Sequence, residues 1–477
     1  MVFQKGSNVY FVGIKGTGMS ALAELLRNAG LLVSGSDTPE IFYTDQILKD
    51  LNIPYFENFS KEHISTNIDL LIHSAAYNLE NPEIAEAKNL NIPILKYTAA
   101  LGAYSEQFDS SGIAGVHGKT TTTAVAGTLI KAVNLPAQIL AGSAVNSFGG
   151  KSTLSLGNKY FIAETCEYRK HFLDFHPKRI VLTSVEEDHQ DFFPTYKSIL
   201  DAFLEYCRKL PQNGELIYCA DNKGSQEVAE ILKREGKNIK FTPYGFNAEG
   251  DFQISSYKIA EERVKINIKA FPNEFKLQIP GKHNALNVTA ALALTDSLIK
   301  NENPKGFNEK QEENIRLALE DFKGSKRRCE ILGETKGILF IDDYAHHPTA
   351  IRATLSALKE FYPKRRIVVS FMSHTYTRTA SLLDEFASSF ENADLLILHK
   401  IYSSAREEYS GGVNGKTLFE KAKSLKDNVY YIEEPMDTLS FLKNILKEGD
   451  IFITMGAGNN WIIGTEYLKS LQIDLKT

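Results

Sequence analysis

The feature that most constrains the fold is the segment 112–123, which reads Gly-Ile-Ala-Gly-Val-His-Gly-Lys-Thr-Thr-Thr-Thr. Its apolar start predicts a buried strand, and the apolar stretch 124–133 after the hydroxyl run predicts a helix. Glycines at such a junction let backbone N–H groups approach phosphate oxygens, and the helix directs its positive end toward them. The segment therefore predicts a phosphate-binding loop inside an α/β domain.

The side chains of this loop suit a nucleotide. Lys119 would neutralise charge on the β- and γ-phosphates, and the Thr120 hydroxyl would hold Mg²⁺. The pattern is a shortened one, because Ile113 stands five residues before Gly118, where the full phosphate-loop motif has glycine. The alternative is an ordinary strand–turn–helix with a surface lysine. The predicted nucleotide contacts are Gly115, Val116, His117, Gly118, Lys119, Thr120 and Thr121.

A second glycine cluster follows the apolar residues 8–13, and after it come a helical pattern over 19–28 and a second predicted strand at 31–34. This is a βαβ opening with an acid at the end of its second strand. The glycine spacing reverses the usual dinucleotide order, so the pattern fits either a cradle for a diphosphate or nucleotide sugar, or a tight βα turn. A further strand is predicted at 70–73. The candidate substrate residues of this region are Gly13, Gly16, Gly18, Ser36, Asp37 and Ser74.

Polar residues also follow two predicted central strands, 159–163 and 179–183. Glu164 ends the first, and the cluster Asp188, His189 and Asp191 comes after the second. Chain order places both on the sheet edge that carries the phosphate loop. A carboxylate there suits Mg²⁺, and an imidazole suits a softer or second metal position. The alternative is a set of solvated turn residues. The predicted metal ligands are Thr120, Glu164 and His189.

Alternating apolar residues over 264–278 predict a half-buried antiparallel strand, and residues 288–299 predict an apolar helix. Asn284 and Asn287 flank the predicted helix start. Their amides could cap that helix or hold a nucleotide base, and the spacing by itself favours the cap.

The last third of the chain repeats the pattern of strands that end in polar clusters. Strands are predicted at 338–341, 367–371, 395–399 and 450–455, with a helix at 349–361. Such βα units predict another doubly wound domain. The adjacent histidines His346 and His347 share a predicted sheet edge with Asp342, His374 and Arg378. A functional role is therefore preferred over a structural one for these two histidines.

Bulk properties exclude several function classes. A length of 477 residues predicts about three domains at ~150 residues each. The net charge is −5 and no basic run stands out, which argues against nucleic acid as a partner. Neither a signal peptide nor an 18-residue apolar segment is visible, so we expect a cytoplasmic protein without membrane insertion. The four cysteines lack metal spacing and fit a reducing compartment.

Taken together, these motifs resemble the Mur ligases, the ATP-dependent amide-forming enzymes of peptidoglycan synthesis. The resemblance covers nearly the whole chain and is most specific where the phosphate loop is combined with the Asp-Asp-Tyr-x-His-His-Pro string. The matching segments are Gly13-Ile-Lys-Gly-Thr-Gly-Met-Ser20, Ser34-Gly-Ser-Asp37, Gly115-Val-His-Gly-Lys-Thr-Thr-Thr-Thr123, Asp188-His189-x-Asp191, His283-Asn-Ala-Leu-Asn287, Arg327-Arg328, Asp342-Asp-Tyr-Ala-His-His-Pro348 and Gly456-Ala-Gly458.

The resemblance implies an α/β protein of three domains that uses ATP and Mg²⁺. A Rossmann-like domain at 1–106 would bind the UDP sugar, a phosphate-loop domain at 107–325 would bind ATP, and a Rossmann-like domain at 326–477 would contact the amino acid and nucleotide. The expected substrates are UDP-N-acetylmuramate, whose lactyl carboxylate becomes an acyl phosphate, and L-alanine. Cell wall biogenesis, and with it cell shape and division, would be the process served.

The resemblance also carries over roles residue by residue. Asn284 would lie against adenine, which outweighs the capping interpretation, and Arg328 and Asp342 would lie near the nucleotide. His346 is a candidate for orienting or deprotonating the amine. The amino acid would be surrounded by Tyr344, His346, His374 and Arg378, and the implied catalytic residues are Lys119, His346 and Asp342.

Two departures from the family pattern bear on specificity. Cys166 replaces an acid in the segment 164–167, and Thr375 replaces an arginine that would pair with a carboxylate. Arg378 or Arg406 is a candidate substitute for that arginine. The alternatives are a murein-peptide recycling ligase that adds a tripeptide to the same sugar, and a non-catalytic UDP-sugar sensor. A folylpolyglutamate synthase lacks a comparable front domain, and an oxidoreductase is the weakest alternative because no second cofactor feature supports it.

Overall fold

The computed structural model describes residues 3–40, 42, 44–189, 192–403 and 411–473. Two residues that the sequence singled out, Asp191 and Arg406, lie outside these ranges. The chain divides into two compact units. The first unit comprises Met1–Glu186, Ile199–Gln253 and Asn287–Ala318, and the second comprises Glu187–Ser198, Ile254–Leu286 and Leu319–Thr477.

The chain opens with a five-stranded parallel sheet whose strand order is β3-β2-β1-β4-β5. Its central strands are almost fully buried, as near-continuous apolar runs predict for a parallel sheet covered on both faces. The strand order reverses between β1 and β4, and in such sheets ligands bind in the crevice at the carboxyl ends of those strands. The strands are β1 (Asn8–Val12), β2 (Leu32–Ser36), β3 (Tyr55–Phe56), β4 (Leu70–His73) and β5 (Ile94–Lys96).

Three α-helices lie between these strands in the chain, and a fourth follows β5. The third of them shows how the sequence fixes a helix start, because the Asn81 side chain accepts hydrogen bonds from the backbone N–H groups of Glu83 and Ile84, and Pro82 occupies the first helical position. The helices are α1 (Thr17–Asn28), α2 (Asp45–Asp50), α3 (Pro82–Asn89) and α4 (Tyr97–Ser105).

A second sheet follows, with the order β12-β11-β10-β6-β9-β7-β8 in the first unit. All neighbours are parallel except β7 and β8. The strands are β6 (Asp109–Ala114), β7 (Ala137–Val145), β8 (Lys151–Ser155), β9 (Tyr160–Glu164), β10 (Arg179–Leu182), β11 (Glu215–Cys219) and β12 (Lys240–Gly245). The helices are α5 (Lys119–Ala132), α6 (Tyr196–Arg208) and α7 (Lys223–Arg234).

The position of β6 between β9 and β10 aligns the ends of three strands. Ile113 pairs with Glu164, and Ala114 pairs with Leu182. The prediction that Glu164 and the phosphate loop share one sheet edge is therefore confirmed. The predicted boundary after residue 106 falls just before β6, which begins at Asp109. The predicted domain boundaries themselves stay a prediction.

The antiparallel pairing predicted within 264–278 is confirmed, but the segment forms two strands and not one. Tyr257 lies opposite Ile266, and Val264 lies opposite Leu277. The strands are β13 (Phe252–Ala260), β14 (Arg263–Ile268) and β15 (Phe275–Leu277), and the helices that follow are α8 (Lys282–Glu302) and α9 (Glu309–Asp321).

The start predicted for the apolar helix is wrong by six residues. Helix α8 already begins at Lys282, so Asn284 lies inside its first turn and is not its N-cap. The Asn284 Nδ2 group donates to the carbonyl of Pro280 at 2.8 Å. The capping interpretation of Asn284 is therefore wrong, because a cap accepts hydrogen bonds from backbone N–H groups at the residue before the helix.

The last sheet lies in the second unit, with the order β16-β17-β21-β18-β19-β20. Only β16 runs antiparallel to its neighbour. Buried apolar clusters cover both faces, as the doubly wound prediction requires. The strands are β16 (Glu330–Thr335), β17 (Ile338–Asp343), β18 (Arg366–Met372), β19 (Leu395–Leu398), β20 (Val429–Tyr431) and β21 (Asp450–Gly456). The helices are α10 (Pro348–Phe361), α11 (Tyr376–Ser381), α12 (Leu383–Ser388), α13 (Gly415–Lys423), α14 (Thr438–Ile445) and α15 (Trp461–Ile473).

The described residues form three sheets, and the predicted α/β fold class is confirmed. Among the described residues, none of the helices has both the length and the apolar composition needed to cross a membrane.

Candidate functional site

In the loop between β6 and α5, two glycines have backbone angles that other residues rarely adopt. Gly115 has φ +138° and Gly118 has φ +83°. A β-carbon on Gly115 would collide with Thr183 Oγ1, and one on Gly118 would lie 2.5 Å from Asn287 Oδ1. These glycines therefore allow both the turn and its close packing.

The loop is fixed by the segment that follows β10. The backbone N–H of Val116 donates to the carbonyl of Ser184 at 3.1 Å, and the N–H of His117 donates to Ser184 Oγ at 2.9 Å. The His117 ring lies 3.7 Å from the Glu186 carboxylate. Helix α5 starts at Lys119, and Gly118 before it has no side chain that could cap the first turn. The N–H groups at this end of the helix therefore suit an anion.

Lys119 is held by a carboxylate that the sequence analysis did not assign. Its Nζ donates to Glu167 Oε2 at 2.9 Å and to the carbonyl of Val116 at 3.2 Å, and it also contacts the carbonyl of Gly115. Only 2% of the Glu167 side chain is exposed. Burial is the largest effect and lowers the pKa of Lys119, but the charges of Glu167 and its neighbours and the hydrogen bond to Glu167 together outweigh burial, so the pKa lies above its ordinary value. The Lys119 amino group therefore keeps its positive charge beside the phosphate loop.

Glu164 is positioned by the neighbouring strand. Its Oε2 accepts a hydrogen bond from the backbone N–H of Gly142 at 2.8 Å, and a β-carbon on Gly142 would collide with the carboxylate. Thr120 is buried at the start of α5. A hydroxyl and a carboxylate are the hard oxygen donors that Mg²⁺ takes together with water and phosphate oxygens. These two residues therefore fit the predicted ion.

Among the described residues, no group of three or more His, Cys, Asp or Glu side chains forms a metal site by itself. His189, the third predicted ligand, belongs to the second unit, and its backbone has φ +54°. Its role as a metal ligand stays a prediction.

The N-terminal glycine turn lies at the crevice between β1 and β4. Gly13 has φ +85°, and a β-carbon there would lie 2.7 Å from the Tyr77 ring and 3.0 Å from Ser74 Oγ. A β-carbon on Gly18 would lie 2.8 Å from the Tyr97 ring, whereas one on Gly16 would make only ordinary contacts. Steric crowding therefore favours glycine at Gly13 and Gly18, the first and last positions of the turn.

The predicted substrate residues Ser36 and Asp37 have contacts within the protein. The Ser36 hydroxyl donates to the buried carboxylate of Glu83. Asp37 Oδ2 accepts from the N–H of Lys15 at 2.7 Å, and Oδ1 accepts from the N–H of Thr38 at 2.8 Å. Both side chains thus shape the crevice, and their direct contact with a substrate stays a prediction.

Tyr97 lies at the glycine turn and near the sheet edge that carries the phosphate loop. Its ring packs against Gly18, and burial together with the negative charge of Glu164 raises the pKa of its hydroxyl. An electrostatic effect of this kind requires the two side chains to be near neighbours. The sequence analysis missed Tyr97, because only the tertiary fold brings it to Glu164. Tyr97 therefore packs on the Gly18 turn and lies within electrostatic reach of Glu164.

The second unit holds its own cluster at the ends of β17 and β21. Asp342 Oδ2 accepts from Arg327 Nε at 3.0 Å, and Oδ1 accepts from Thr454 Oγ1 at 2.6 Å. Burial raises the pKa of Asp342, although Arg327 opposes this effect. The guanidinium groups of Arg327 and Arg328 lie 5.0 and 5.4 Å from the centre of the Tyr344 ring. Both arginines can present positive charge beside this aromatic face.

His346 is fixed in one tautomer. Its Nδ1 lies 2.7 Å from the carbonyl of Tyr344, and because a carbonyl only accepts, Nδ1 carries the proton and Nε2 keeps a lone pair. Burial lowers the pKa of His346 well below its ordinary value, and the charge of Arg378 adds to the effect. The ring is therefore neutral and packs edge-on against His374 at 5.5 Å. Its Nε2 is therefore suited to accept a hydrogen bond.

Arg378, a predicted amino-acid contact, is paired with a carboxylate of its own unit. Its Nη2 and Nε donate to Asp188 Oδ1 at 2.7 and 3.1 Å, and Nη1 lies 3.1 Å from His374 Nδ1. Burial raises the pKa of Asp188, but Arg378 and the nearby histidines together outweigh burial and hold that pKa well below its usual range. Asp188 is thus an ion-pair partner that orients Arg378.

The position where the family has an arginine shows backbone strain. Thr375 has φ +65°, which is unusual for a β-branched residue, and its N–H donates to the carbonyl of Tyr402 at 2.9 Å. His347, which the sequence placed with the functional set, accepts from the N–H of Thr349 at 3.3 Å as the N-cap of α10. His347 therefore caps this helix, and a functional role for it stays a prediction.

Three family models match the chain. Residues 8–109 match the Mur ligase family, catalytic domain; residues 113–295 match the Mur ligase middle domain; and residues 327–458 match the Mur ligase, glutamate ligase domain.

Individual relatives and solved structures agree with these models. The UDP-N-acetylmuramate–L-alanine ligase of Treponema pallidum is 50% identical over 96% of this chain and 95% of its own. The structure of the UDP-N-acetylmuramate–alanine ligase of Thermotoga maritima has a TM-score of 0.76 at 26% identity and covers 98% of this chain and 99% of that one. A murein peptide ligase of Psychrobacter arcticus has a TM-score of 0.65 at 21% identity, with 98% and 99% covered, which shows a shared fold.

Proposed function

Since the chain belongs to the Mur ligase family, we propose that it joins L-alanine to the lactyl carboxylate of UDP-N-acetylmuramate at the expense of ATP. The observation that carries this proposal is the position of Tyr97, whose ring packs against the Gly18 turn and whose hydroxyl lies within electrostatic reach of Glu164 at the phosphate-loop edge. A substrate carboxylate held by the first cradle can then meet a γ-phosphate held by the second. The identity to the alanine ligase of Treponema pallidum favours the same substrates.

In the first step, an oxygen of the lactyl carboxylate attacks the γ-phosphorus of ATP, the bond to the β-phosphate oxygen breaks, and ADP leaves. Charge develops on the transferred group, where preorganised cations stabilise it most. Lys119 supplies one such cation, and its exchange from Glu167 to phosphate would accompany nucleotide binding. Bound Mg²⁺ would neutralise further phosphate charge, and Thr120, Glu164 and His189 are its proposed ligands.

In the second step, the alanine amine attacks the acyl carbon and inorganic phosphate leaves. His346 Nε2 is proposed to orient the amine by accepting a hydrogen bond from it, because the neutral ring keeps a lone pair there, and the departing phosphate takes up the proton that the amine loses. Arg378 would face the amino-acid carboxylate, with Tyr344 and His374 beside it. Asn284, Arg328 and Asp342 are proposed around the nucleotide.

The murein-peptide recycling ligase is the second candidate. Its supporting observation is the absence of the family arginine at Thr375, which alters the amino-acid pocket. Both reactions start from the same nucleotide sugar and ATP. We place either activity in the cytoplasm, where ATP is available.

The test is phosphate release by the purified protein with ATP, Mg²⁺ and UDP-N-acetylmuramate, and with each of L-alanine, L-serine, glycine and the tripeptide in turn. We expect release that requires the nucleotide sugar and is fastest with L-alanine. A Lys119→Met variant serves as the inactive control. Release that ignores the nucleotide sugar would contradict the proposal, and a preference for the tripeptide would favour the recycling reaction.

A further inference from the structure

Lys15 stands in the middle of the N-terminal glycine turn, where a lysine would ordinarily be assigned to a phosphate. Its side chain is instead fully buried. Its Nζ donates to the carbonyls of Thr38 and Glu40 at 3.0 Å each and to Glu57 Oε1 at 3.1 Å, and lies 3.5 Å from Asp45 Oδ1. An ammonium has three N–H donors, so these contacts occupy all of them. The Lys15 ammonium therefore binds groups of the protein and leaves no N–H donor for a phosphate.

The main chain of the same residue makes two more contacts. Its N–H donates to Asp37 Oδ2 at 2.7 Å, and its carbonyl accepts from the Thr44 hydroxyl. Residues 37–40, 42, 44 and 45 follow β2 at the crevice, and we call them the crevice loop. Lys15 thus ties both the beginning and the end of the crevice loop to the glycine turn.

The electrostatics keep Lys15 charged in this buried position. Burial lowers its pKa, but Glu57 and Asp45 outweigh burial, so the pKa of Lys15 lies above its ordinary value. The ammonium also lies 5.3 Å from the centre of the Tyr55 ring. Since a buried charge persists only where it is paired, the ammonium and its partners hold each other in place.

The contacts of Lys15 lie at the crevice of the first sheet, where they can affect ligand binding. The glycine turn leads into the N-terminus of α1, which suits a diphosphate, while the crevice loop begins at the end of β2, the side where this class of sheet holds the nucleoside. We propose that Lys15 is a positioning residue for the nucleotide sugar: it holds the crevice loop as the wall of the nucleoside side of the crevice. This inference rests on the proposed function.

The experiment compares Lys15→Met, which keeps the length of the side chain and removes its charge, with Lys49→Met as the matched control. Lys49 is an exposed lysine of α2. UDP binding is measured by calorimetry, and the KM values for UDP-N-acetylmuramate and ATP are measured by phosphate release. We expect Lys15→Met to raise the UDP Kd and the nucleotide-sugar KM at least tenfold, with the ATP KM within twofold of wild type. Lys49→Met should change none of these values.

Thr44→Val keeps the proposal testable if Lys15→Met does not fold. Valine matches the shape of the buried threonine and removes only the donor to the Lys15 carbonyl. We therefore expect a folded protein with a slightly lower unfolding midpoint and a UDP Kd raised about threefold. UDP binding by folded Lys15→Met, or by Thr44→Val, that equals wild type would overturn the inference while leaving the proposed function intact. Wild-type protein that never consumes UDP-N-acetylmuramate would instead refute the proposed function.

Discussion

At the scale of single residues, the pairing of Lys119 with Glu167 is the contact that most directly prepares the phosphate loop. The sequence predicted the role of Lys119 from its place in a local motif. It did not predict Glu167, because the contact joins residues 48 positions apart and depends on how β9 and β6 are aligned. The same reason explains why Lys15 and Tyr97 were missed: their partners are set by tertiary packing and leave no periodic signal.

We expect Glu167→Gln to lower kcat/KM for ATP about tenfold, which is about 1.4 kcal/mol. Without the charge of Glu167, the effect of burial lowers the pKa of Lys119, so the alkaline loss of activity should move to lower pH than in wild type. The measurement is a pH profile of kcat/KM. Glu205→Gln, which alters an exposed carboxylate paired with Lys170, is the control. An unshifted alkaline limb in Glu167→Gln would show that Lys119 does not depend on this partner.

Asp343 is a second residue whose environment makes a measurable prediction. Its carboxylate accepts from the N–H groups of Cys329 and Ala345 and from Thr354 Oγ1. Burial raises its pKa to about 6, although Arg328 opposes this effect. Between about pH 4 and 6 the folded protein therefore keeps a proton that the unfolded chain, with a pKa near 3.9, has released.

The contribution of Asp343 to the free energy of unfolding should consequently fall as pH rises through that window, by about 2–3 kcal/mol. Urea denaturation at pH 4.5 and 6.5 measures the difference, and Asp343→Asn should reduce it. Asp384→Asn, at a carboxyl whose side chain is 75% exposed, is the matched control. An equal pH difference in wild type and Asp343→Asn would contradict the assignment.

At the scale of elements, the site depends on strands that end at one edge and on helices that begin there. The sequence predicted β1, β4, β6, β9, β10, β17, β18 and β21 well, because buried parallel strands are short apolar runs bounded by polar clusters. It placed the start of α8 too late, because Lys282, His283 and Asn284 are polar but already helical. Hydrophobic periodicity detects the buried middle of a helix better than its first turn.

The contact of α8 with the phosphate loop gives an element-scale prediction. Gly118→Ala would both impose a β-carbon at φ +83° and drive it against Asn287 on α8. We expect a loss of stability of about 1–3 kcal/mol and an ATP KM raised at least tenfold. Gly236→Ala is the matched control, because Gly236 has φ +70° with open space around it and reports the backbone cost alone.

Thermal unfolding and ATP titration measure the two effects of Gly118→Ala. The double variant Gly118→Ala with Asn287→Ala should recover the steric part and keep the backbone part. If Gly118→Ala and Gly236→Ala lose stability equally and ATP binding is unaffected, the packing of α8 on the loop has no part in nucleotide binding.

At the scale of the whole molecule, the proposed chemistry is divided along the chain. The residues proposed to activate the carboxylate lie in the first unit, including Lys119, Glu164 and Tyr97. The residues proposed to receive L-alanine, including His346 and Arg378, lie in the second. The resemblance to the Mur ligases implied this division, and it stays a prediction; the family models match three successive stretches of the chain. The sequence could not predict that Arg378 pairs with Asp188, since that contact joins residues 190 positions apart.

The central claim is that the two cradles of the first unit bring a substrate carboxylate to the γ-phosphate. The most direct test uses UDP-N-acetylmuramate labelled with ¹⁸O in both oxygens of its lactyl carboxylate, with ATP and L-alanine, and mass analysis of the phosphate released. Attack by the carboxylate predicts one ¹⁸O atom in each inorganic phosphate and one retained in the amide product. Release of unlabelled phosphate would contradict the account, because the carboxylate would then never have bonded to phosphorus.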